Sequence, residues 1–335
     1  MDNATHTLLV TGGAGFIGSH FVRHWLARHP RDRLINLDAL TYAGNLQNLR
    51  DVADNPRYRF VHGDICDRAL LERLFAEEDI DRVVHFAAES HVDRSIHGPA
   101  AFIRTNVEGT LALLESVRAH WDGDTGRRFL HVSTDEVYGS LDTDAAPADE
   151  THACRPNSPY AASKAAADHL LRAWFETWGL PLLITRGANN YGPSQFAEKL
   201  IPRMILNALA GRPLPVYGDG LNVRDWLYVE DHCHAIEAVL QGGRPGETYN
   251  IGAGNAWRNI DIVRRICERL DRLAPGPRPY HELITLVPDR PGHDRRYAID
   301  CGKIRRELGW LPRHDFDSAL ETTLRWYLHH RDEYA

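Results

Sequence analysis

The sequence predicts an α/β fold in which a doubly wound parallel sheet is joined to a second, smaller mixed α/β domain. Through the first half, short runs rich in β-branched and apolar residues alternate with segments of helical apolar spacing. Strands separated by helices in this way form parallel sheets. After Arg186 the alternation gives way to a passage rich in glycine, aspartate and aromatic residues. The length of 335 residues is also enough for about two domains of roughly 150 residues each.

Six buried runs supply the strands of the predicted sheet. They read TLLVTG, RLINLD, YRFVHGD, RVVHFAA, FLHVSTD and PLLITRG, with helical stretches such as GSHFVRHWLARH and ALLERLFAEE between them. We expect residues 1–186 plus roughly 215–251 to form the larger, cofactor-binding domain. Roughly 187–214 plus 252–335 are expected to form the substrate domain.

Composition and charge exclude several classes of protein. The chain is 43% hydrophobic and 25% charged, as in ordinary soluble globular proteins, and its net charge of −7 argues against a nucleic-acid partner. No apolar run approaches the roughly 18 residues that span a bilayer, and the N-terminus lacks a signal-peptide core. The five cysteines are odd in number and include no C-x-x-C pair, which predicts reduced thiols in the cytoplasm. We expect no metal site.

The first turn after a strand carries three glycines. Gly12, Gly15 and Gly18 follow TLLVT, and the next residues continue as a helix. Such a loop lets backbone amides approach a diphosphate, which the helix N-terminus stabilises. The next strand ends at Asp38, 20 residues after Gly18, where an acid binds an adenosine ribose and repels a 2′-phosphate. The larger domain is therefore predicted to be Rossmann-type and to bind NAD rather than NADP.

Two further strand ends fit a bound dinucleotide. Asp64 and Ile65 follow the third strand, where an adenine edge is expected. The fourth strand ends in the small residues Ala87 and Ala88, which leave room for a cofactor, although plain core packing explains them equally well.

Tyr160 and Lys164 lie one helical turn apart in SPYAASKAAADHL and therefore on one face of the helix. An unperturbed tyrosine has a pKa of about 10 and is a poor base at neutral pH. A nearby lysine and a positively charged nicotinamide favour the phenolate, which can remove a proton from an alcohol while hydride leaves the same carbon. With Thr134 as an additional hydroxyl, this pair predicts a catalytic site.

The strand FLHVST is followed at once by two acids, Asp135 and Glu136. Adjacent residues on a strand point to opposite faces of the sheet. The two carboxylates can therefore act on one substrate only if the strand has already ended at Thr134.

These motifs together resemble the extended short-chain dehydrogenases/reductases and, more narrowly, the dTDP-glucose 4,6-dehydratases. The matching stretches run from Thr7 to about Asp300: TGGAGFIGSH, LDALTYAGNLQNL, AAESHVDRSI, VSTDEVYG, SPYAASKAAADHL, NNYGPSQFAEKLIP, PVYGDGLNVRDWLYVEDH, YNIGAGN and VPDRPGHDRRYAID. The Asp-Glu pair is the narrowest of them, because the related 4-epimerases typically lack it.

The resemblance implies a redox-neutral lyase reaction on a nucleotide-diphosphate hexose. Tyr160, with Lys164 and Thr134, is implied to assist oxidation at C4. Glu136 is implied to remove the C5 proton, and Asp135 to protonate the departing C6 hydroxyl, which requires opposite tuning of the two carboxyl groups. Hydride then returns to C6 and gives a 4-keto-6-deoxy sugar. The resemblance also implies a homodimer.

The resemblance assigns binding residues as well. Those implied to contact NAD are Gly12, Gly15, Phe16, Ile17, Gly18, Asp38, Ala39, Leu40, Thr41, Asp64, Ile65, Phe86, Ala87, Ala88, Ser90, Thr105, Tyr160, Lys164 and Asn190. Those implied to hold the sugar or the nucleotide diphosphate are Ser90, Thr134, Asn189, Lys199, Leu200, Pro215, Val216, Tyr217, Arg224, Asn259, Asp289, Arg290, Pro291, Gly292 and His293. The cations Lys199 and Arg224 suit a diphosphate.

Three positions depart from the family pattern. Gly187 and Ala188 stand where Cys-Ser is usual, and Ala197 stands where proline is usual. None of them removes a reacting group, but they flank implied substrate contacts and leave the nucleotide preference open. The alternatives are a dehydratase acting on UDP-glucose or another nucleotide hexose, a nucleotide-sugar 4-epimerase, and a non-catalytic NAD-binding regulator. The intact Tyr160/Lys164 pair argues against the regulator.

Overall fold

The computed structural model describes residues 5–121 and 123–331. The ends of the predicted domain ranges, residues 1–4 and 332–335, and Asp122 within the first range lie outside the described residues. The strands, numbered along the chain, are β1 (Thr7–Thr11), β2 (Arg33–Asp38), β3 (Tyr58–His62), β4 (Arg82–His85), β5 (Arg128–Thr134), β6 (Leu182–Gly187), β7 (Asn189–Tyr191), β8 (Leu214–Tyr217), β9 (Val223–Tyr228), β10 (Thr248–Ile251), β11 (Ala256–Arg258) and β12 (Ile284–Val287).

Helices lie between most of these strands. They are α1 (Phe16–Arg28), α2 (Arg68–Glu77), α3 (Val92–His97), α4 (Pro99–Phe102), α5 (Thr110–Trp121), α6 (Pro159–Trp178), α7 (Leu200–Leu209), α8 (Val229–Gly242), α9 (Asn259–Leu273), α10 (Gly302–Leu308) and α11 (Phe316–His329). A π-helical segment, Ile103–Gly109, joins α4 to α5.

Seven parallel strands form the main sheet, in the order β10-β6-β5-β4-β1-β2-β3. The six strands predicted from the sequence occupy it as β1–β6, so the predicted doubly wound fold is confirmed. The strand order reverses direction between β1 and β4, and in such sheets ligands bind beyond the carboxyl ends of the strands at this point.

Two small sheets complete the structure. β7 pairs with β9 in parallel and β9 pairs with β11 antiparallel, while β8 pairs with β12 in parallel. These strands come from the part of the chain in which the regular alternation ends, and β9 joins both parallel and antiparallel partners in a small mixed sheet.

Both faces of the main sheet are buried, as expected for a parallel sheet. Along β1 the side chains alternate between two apolar clusters, because Leu8 and Val10 pack in one and Leu9 packs in the other. All three are fully buried. Residues of α1, α8 and α9 build the first cluster, and residues of α2 and α5 build the second.

Helix α6 carries the predicted Tyr-Lys pair and has clear end signals. Ser158 caps its N-terminus by accepting a hydrogen bond from the Ala161 amide, and Pro159 occupies the first turn. Gly179 ends the helix with a φ of 68°, a left-handed conformation that favours glycine. The sequence therefore fixes where α6 starts, and with it the position of Tyr160 one residue into the helix.

No helix among residues 5–121 and 123–331 is long and apolar enough to cross a bilayer.

Candidate active site

A cleft opens at the carboxyl ends of the main-sheet strands. Residues at or just after the ends of β1 to β6 line it, from Gly12 after β1 to Gly187 at the end of β6. This is the position expected for a ligand on a doubly wound sheet.

The glycine loop brings backbone close to backbone. Gly12 has a φ of 73°, and a Cβ on it would lie 2.6 Å from the Ala87 amide nitrogen. No side chain caps the N-terminus of α1 at Gly15, so the first amides of that helix are left open to the cleft. Open amides at a helix N-terminus suit the diphosphate of a dinucleotide.

Asp38 is buried at the end of β2, and its carboxylate oxygens are aligned by the backbone. Oδ2 accepts a hydrogen bond from the Ala14 amide and Oδ1 accepts one from the Leu40 amide, both at 2.8 Å. Burial raises the pKa of Asp38, and these two amides oppose that change. Each oxygen keeps a lone pair for the hydroxyls of a ribose. The residues present therefore fit an adenosine dinucleotide.

Strand β5 ends at Thr134, which is the condition under which the adjacent acids Asp135 and Glu136 can act on one substrate. Asp135 begins a 3₁₀ turn, Asp135–Tyr138, and the Thr134 hydroxyl accepts a hydrogen bond from the Glu136 amide. Both acids line the cleft, and Asp135 Oδ2 and Glu136 Oε2 are buried without a hydrogen-bond partner. Buried acceptors without partners in a cleft indicate places where a ligand completes the hydrogen bonding.

The surroundings of the two acids differ in charge. Burial raises the pKa of Asp135 well above its usual range, the charges of Glu136 and Asp225 raise it further, and the charge of Arg224 opposes these effects. Burial also raises the pKa of Glu136, but three cations oppose this: Arg290, Arg224 and Lys199. The surroundings therefore favour the protonated form more strongly for Asp135 than for Glu136.

Tyr160 lines the cleft beside these acids. Burial raises the pKa of Tyr160, the charge of Glu136 raises it further, and a hydrogen bond with Thr134 opposes this. Lys164 Nζ donates to the Val132 carbonyl at 2.7 Å and lies 3.1 Å from His131 Nε2. Burial lowers the pKa of Lys164 to about 8, and Asp168 opposes this. Because the pKa of Tyr160 is raised, its phenol is a weaker acid in the cofactor-free protein than in free tyrosine.

The cleft gathers most of the predicted residues. Its lining includes Gly12, Gly15, Phe16, Ile17, Gly18, Asp38, Ala39, Thr41, Asp64, Ile65, Phe86, Ala87, Ala88, Ser90, Thr105, Thr134, Asp135, Glu136, Tyr160, Lys164, Asn189, Asn190 and Lys199. The predicted residues outside its lining are Leu40, Leu200, Pro215, Val216, Tyr217, Arg224, Asn259, Asp289, Arg290, Pro291, Gly292 and His293.

Several of the residues outside the lining form a second group next to Glu136. Arg290 Nη1 lies 3.4 Å from Asp93 Oδ1, and the Tyr217 hydroxyl donates to Asp93 Oδ2 at 3.1 Å. Arg224 is buried, donates to the Asp294 carbonyl at 2.8 Å and stacks on Tyr297. The positive charges of Arg290 and Arg224 both lower the pKa of Glu136, so this group adjoins the end of the cleft that holds Asp135 and Glu136.

Other lining residues were not predicted from the sequence. They include Gly187, Ala188, Gln195, Phe196, Glu198 and His232. Most of them lie next to predicted positions in the sequence, so their proximity to a motif could have identified them as lining residues. His232 is itself the last residue of the matching stretch PVYGDGLNVRDWLYVEDH, but it lies on α8 and its approach to the cleft depends on tertiary packing.

Among residues 5–121 and 123–331, one side-chain group away from the cleft has ligand atoms close enough to hold a metal ion. His24, His234 and Glu237 each offer an atom, and these atoms all lie within 4.8 Å of one another. The Glu237 carboxylate already accepts hydrogen bonds from His24, His29 and Arg28. The arginine competes with a cation for the carboxylate, so this group carries no metal assignment.

Comparison with known proteins agrees with this geometry. Residues 9–323 match a family model described as GDP-mannose 4,6 dehydratase. The dTDP-glucose 4,6-dehydratase of Neisseria meningitidis serogroup B is 57% identical over 330 residues, covering 96% of this chain and 93% of the relative. The crystal structure of DesIV, a dTDP-glucose 4,6-dehydratase from Streptomyces venezuelae with NAD bound, has a TM-score of 0.90 and 51% identity and covers 98% of both chains.

The epimerase alternative is more distant. A UDP-glucose 4-epimerase from Thermotoga maritima shares the fold, with a TM-score of 0.86 over 98% of this chain and 100% of the epimerase, but only 29% of the sequence. The sequence identity to the dehydratases is much higher than to the epimerase, and the paired acids on the turn after β5 agree with a dehydratase. The chain therefore belongs to the dTDP-glucose 4,6-dehydratase family.

Proposed function

We propose that this protein converts dTDP-glucose to dTDP-4-keto-6-deoxyglucose with NAD as a catalytic cofactor. The proposal rests on the pair Asp135 and Glu136, which share one cleft with Tyr160 and differ in how strongly their surroundings favour the protonated form. Neither an epimerase nor an NAD-binding regulator needs a second acid and base beside the tyrosine.

The glycine loop and Asp38 would hold the cofactor. The open amides at the start of α1 suit its diphosphate, and the Asp38 carboxylate suits its ribose hydroxyls while repelling a 2′-phosphate. Bound NAD supplies a positive charge beside Tyr160 and reversible transfer of one hydride.

Tyr160 would take the proton of the C4 hydroxyl. Its pKa is raised in the protein alone, so proton transfer depends on the positive charge that arrives with the cofactor and on Lys164. Thr134, which interacts with the phenol, would orient the same hydroxyl.

Glu136 would remove the C5 proton once C4 is a ketone, and the three cations near it favour its ionised form. Asp135 would protonate the C6 hydroxyl as it leaves, and its raised pKa keeps a proton available. The two acids can reach adjacent carbons of one sugar because the 3₁₀ turn removes the alternation of a strand.

Lys199, Arg224 and Arg290 would hold the nucleotide diphosphate. The positive charges of all three lower the pKa of Glu136, so the three side chains lie near the Asp135–Glu136 end of the cleft. Arg290 Nε is buried without a hydrogen-bond partner. The diphosphate would place the hexose toward Glu136 and Tyr160.

We also propose that the protein is a cytoplasmic homodimer. All five cysteines are free in the described part of the chain, which fits a reducing compartment. On α6, Ala162 and Ala173 are exposed, and small exposed residues permit close helix packing between two subunits. Analytical ultracentrifugation at micromolar concentration tests the dimer, and a monomer there would contradict it.

Mass spectrometry after incubation with dTDP-glucose tests the reaction. A dehydratase yields a product lighter by one water without added reductant, whereas a 4-epimerase yields a product of unchanged mass. Parallel incubation with UDP-glucose tests the alternative nucleotide.

A further inference from the structure

His232 is a buried histidine whose imidazole reaches the cleft. The residue belongs to α8 and is 1% exposed, yet it lies in the cleft lining together with Gly187 and Asn190. A Cβ on Gly187 would lie 2.8 Å from His232 Cε1 and 3.0 Å from Nε2. The missing side chain at position 187 therefore makes room for the imidazole edge.

The hydrogen bonds around Asn190 determine the tautomer of His232. Asn190 Nδ2 donates to the Ala188 carbonyl at 2.9 Å, so Asn190 Oδ1 is the acceptor on the other side. His232 Nδ1 lies 2.9 Å from that oxygen and must be the N–H donor. Burial lowers the pKa of His232 to about 3, so the ring is neutral at working pH.

His232 Nε2 is consequently a hydrogen-bond acceptor. This atom is buried and has no partner. A buried acceptor without a partner is unfavourable unless something else supplies a donor. Since the residue lines the cleft, a bound ligand can supply it.

The position within the cleft indicates which ligand group this is. Gly187 pairs in register with Thr134 across β6 and β5, and Thr134 interacts with Tyr160. His232 therefore lies at the reacting end of the cleft, where the proposed function requires the nicotinamide. The substituent on the nicotinamide ring that offers N–H donors is its carboxamide.

We propose that His232 Nε2 accepts a hydrogen bond from the carboxamide of the bound nicotinamide, with Asn190 fixing the tautomer and Gly187 giving the ring its space. This inference rests on the proposed use of NAD. The hydrogen bond restrains rotation of the nicotinamide and helps to retain the cofactor between the two hydride transfers.

The test compares two dinucleotides on protein freed of cofactor. In 3-acetylpyridine adenine dinucleotide a methyl ketone replaces the carboxamide, so the N–H donor is missing. Titration calorimetry of the wild type should show NAD binding about tenfold more tightly than the analogue. His232→Phe removes the acceptor and should bring the ratio of the two dissociation constants close to one. His232→Gln, which keeps an acceptor oxygen, should restore part of the ratio.

Two further variants separate this contact from a general loss of structure. Gly187→Ala introduces a methyl group against the imidazole and should lower the ratio with the histidine still present. His20→Phe removes a histidine that contacts the Pro193 carbonyl outside the cleft lining, and its ratio should equal that of the wild type.

The ratio, rather than the affinity for NAD alone, decides the outcome. An unchanged ratio in both His232→Phe and Gly187→Ala would overturn the inference while leaving NAD binding and the proposed function intact. A wild type that binds neither dinucleotide would contradict the proposed function and this inference with it.

Discussion

Asp135 and Glu136 are neighbours on the 3₁₀ turn after β5, but their carboxyl groups face different charges. Arg290, Arg224 and Lys199 oppose the burial effect on Glu136. Arg224 also opposes it on Asp135, but there the charges of Glu136 and Asp225 add to it. The proposed function makes Asp135 the acid and Glu136 the base of the elimination. The first three predictions follow from it and from the neighbouring Tyr160.

Replacing Tyr160 with phenylalanine should abolish the first step. The Tyr160 phenol interacts with the Thr134 hydroxyl, and loss of one general base typically costs about two to four orders of magnitude in rate. Stopped-flow absorbance should show no reduced cofactor on mixing with dTDP-glucose. Tyr280→Phe, which alters a tyrosine bound to the Ala274 carbonyl, is the control and should keep full activity. Substantial activity in Tyr160→Phe would show that another base acts at C4.

Asp135→Asn and Glu136→Gln should block the reaction later. Both variants keep the shape of the side chain but remove its acid or base function, so oxidation at C4 can still occur. Reduced cofactor should therefore accumulate on the enzyme, and turnover should fall by about 10²-fold or more. Normal turnover without accumulation of reduced cofactor would contradict both assignments.

Asp135→Asn should also stabilise the folded protein at neutral pH. A carboxyl group whose pKa is raised by folding binds more protons in the folded chain, so stability falls as pH rises from the unfolded value of 3.8 toward the raised one. Removing that group should raise the Tm at pH 7.5, with ~1 kcal/mol corresponding to roughly 2 °C, and the gain should vanish near pH 4.

Calorimetric scans across this pH range, with Asp142→Asn as an exposed control on the following loop, test the dependence. A gain that grows as the pH falls would have the wrong sign for a raised pKa.

Arg290→Leu should weaken binding of the nucleotide sugar. A charge-assisted hydrogen bond contributes about 1.5–3 kcal/mol, so the Kd for dTDP-glucose should rise by about 10- to 100-fold. Arg295→Leu is the matched control, because Arg295 is half-exposed and pairs with Asp219. Equal effects of the two substitutions would remove Arg290 from the diphosphate site.

Much of this arrangement could be predicted from the sequence because it depends on local features. Each of three signals occupies only a few neighbouring residues of the sequence. They are the glycine spacing, the acid at the end of β2 and the helical spacing of Tyr160 and Lys164. The end of β5 at Thr134 followed from the need for two adjacent acids to share one substrate, and the 3₁₀ turn confirms it.

The remaining features depend on contacts between distant segments. Three cations lie near Glu136: Lys199 directly before α7, Arg224 in β9 and Arg290 in the loop after β12. These segments are distant in the sequence, so only folding brings the three side chains together. His232 reaches Gly187 from another helix, which no spacing rule reveals. Burial also raises the pKa of Tyr160 in the cofactor-free protein, which is opposite to the direction expected from the sequence.

We expect one hydride to leave C4 and to return to C6 of the same sugar within a closed site. NMR of the product formed from dTDP-glucose deuterated at C4 tests this transfer. The expected product is a 4-keto-6-deoxy sugar with deuterium at C6 and a solvent proton at C5, formed without added reductant. Deuterium retained at C4 would indicate an epimerase, and deuterium lost to free cofactor would indicate a simple dehydrogenase; either result would rule out the proposed reaction.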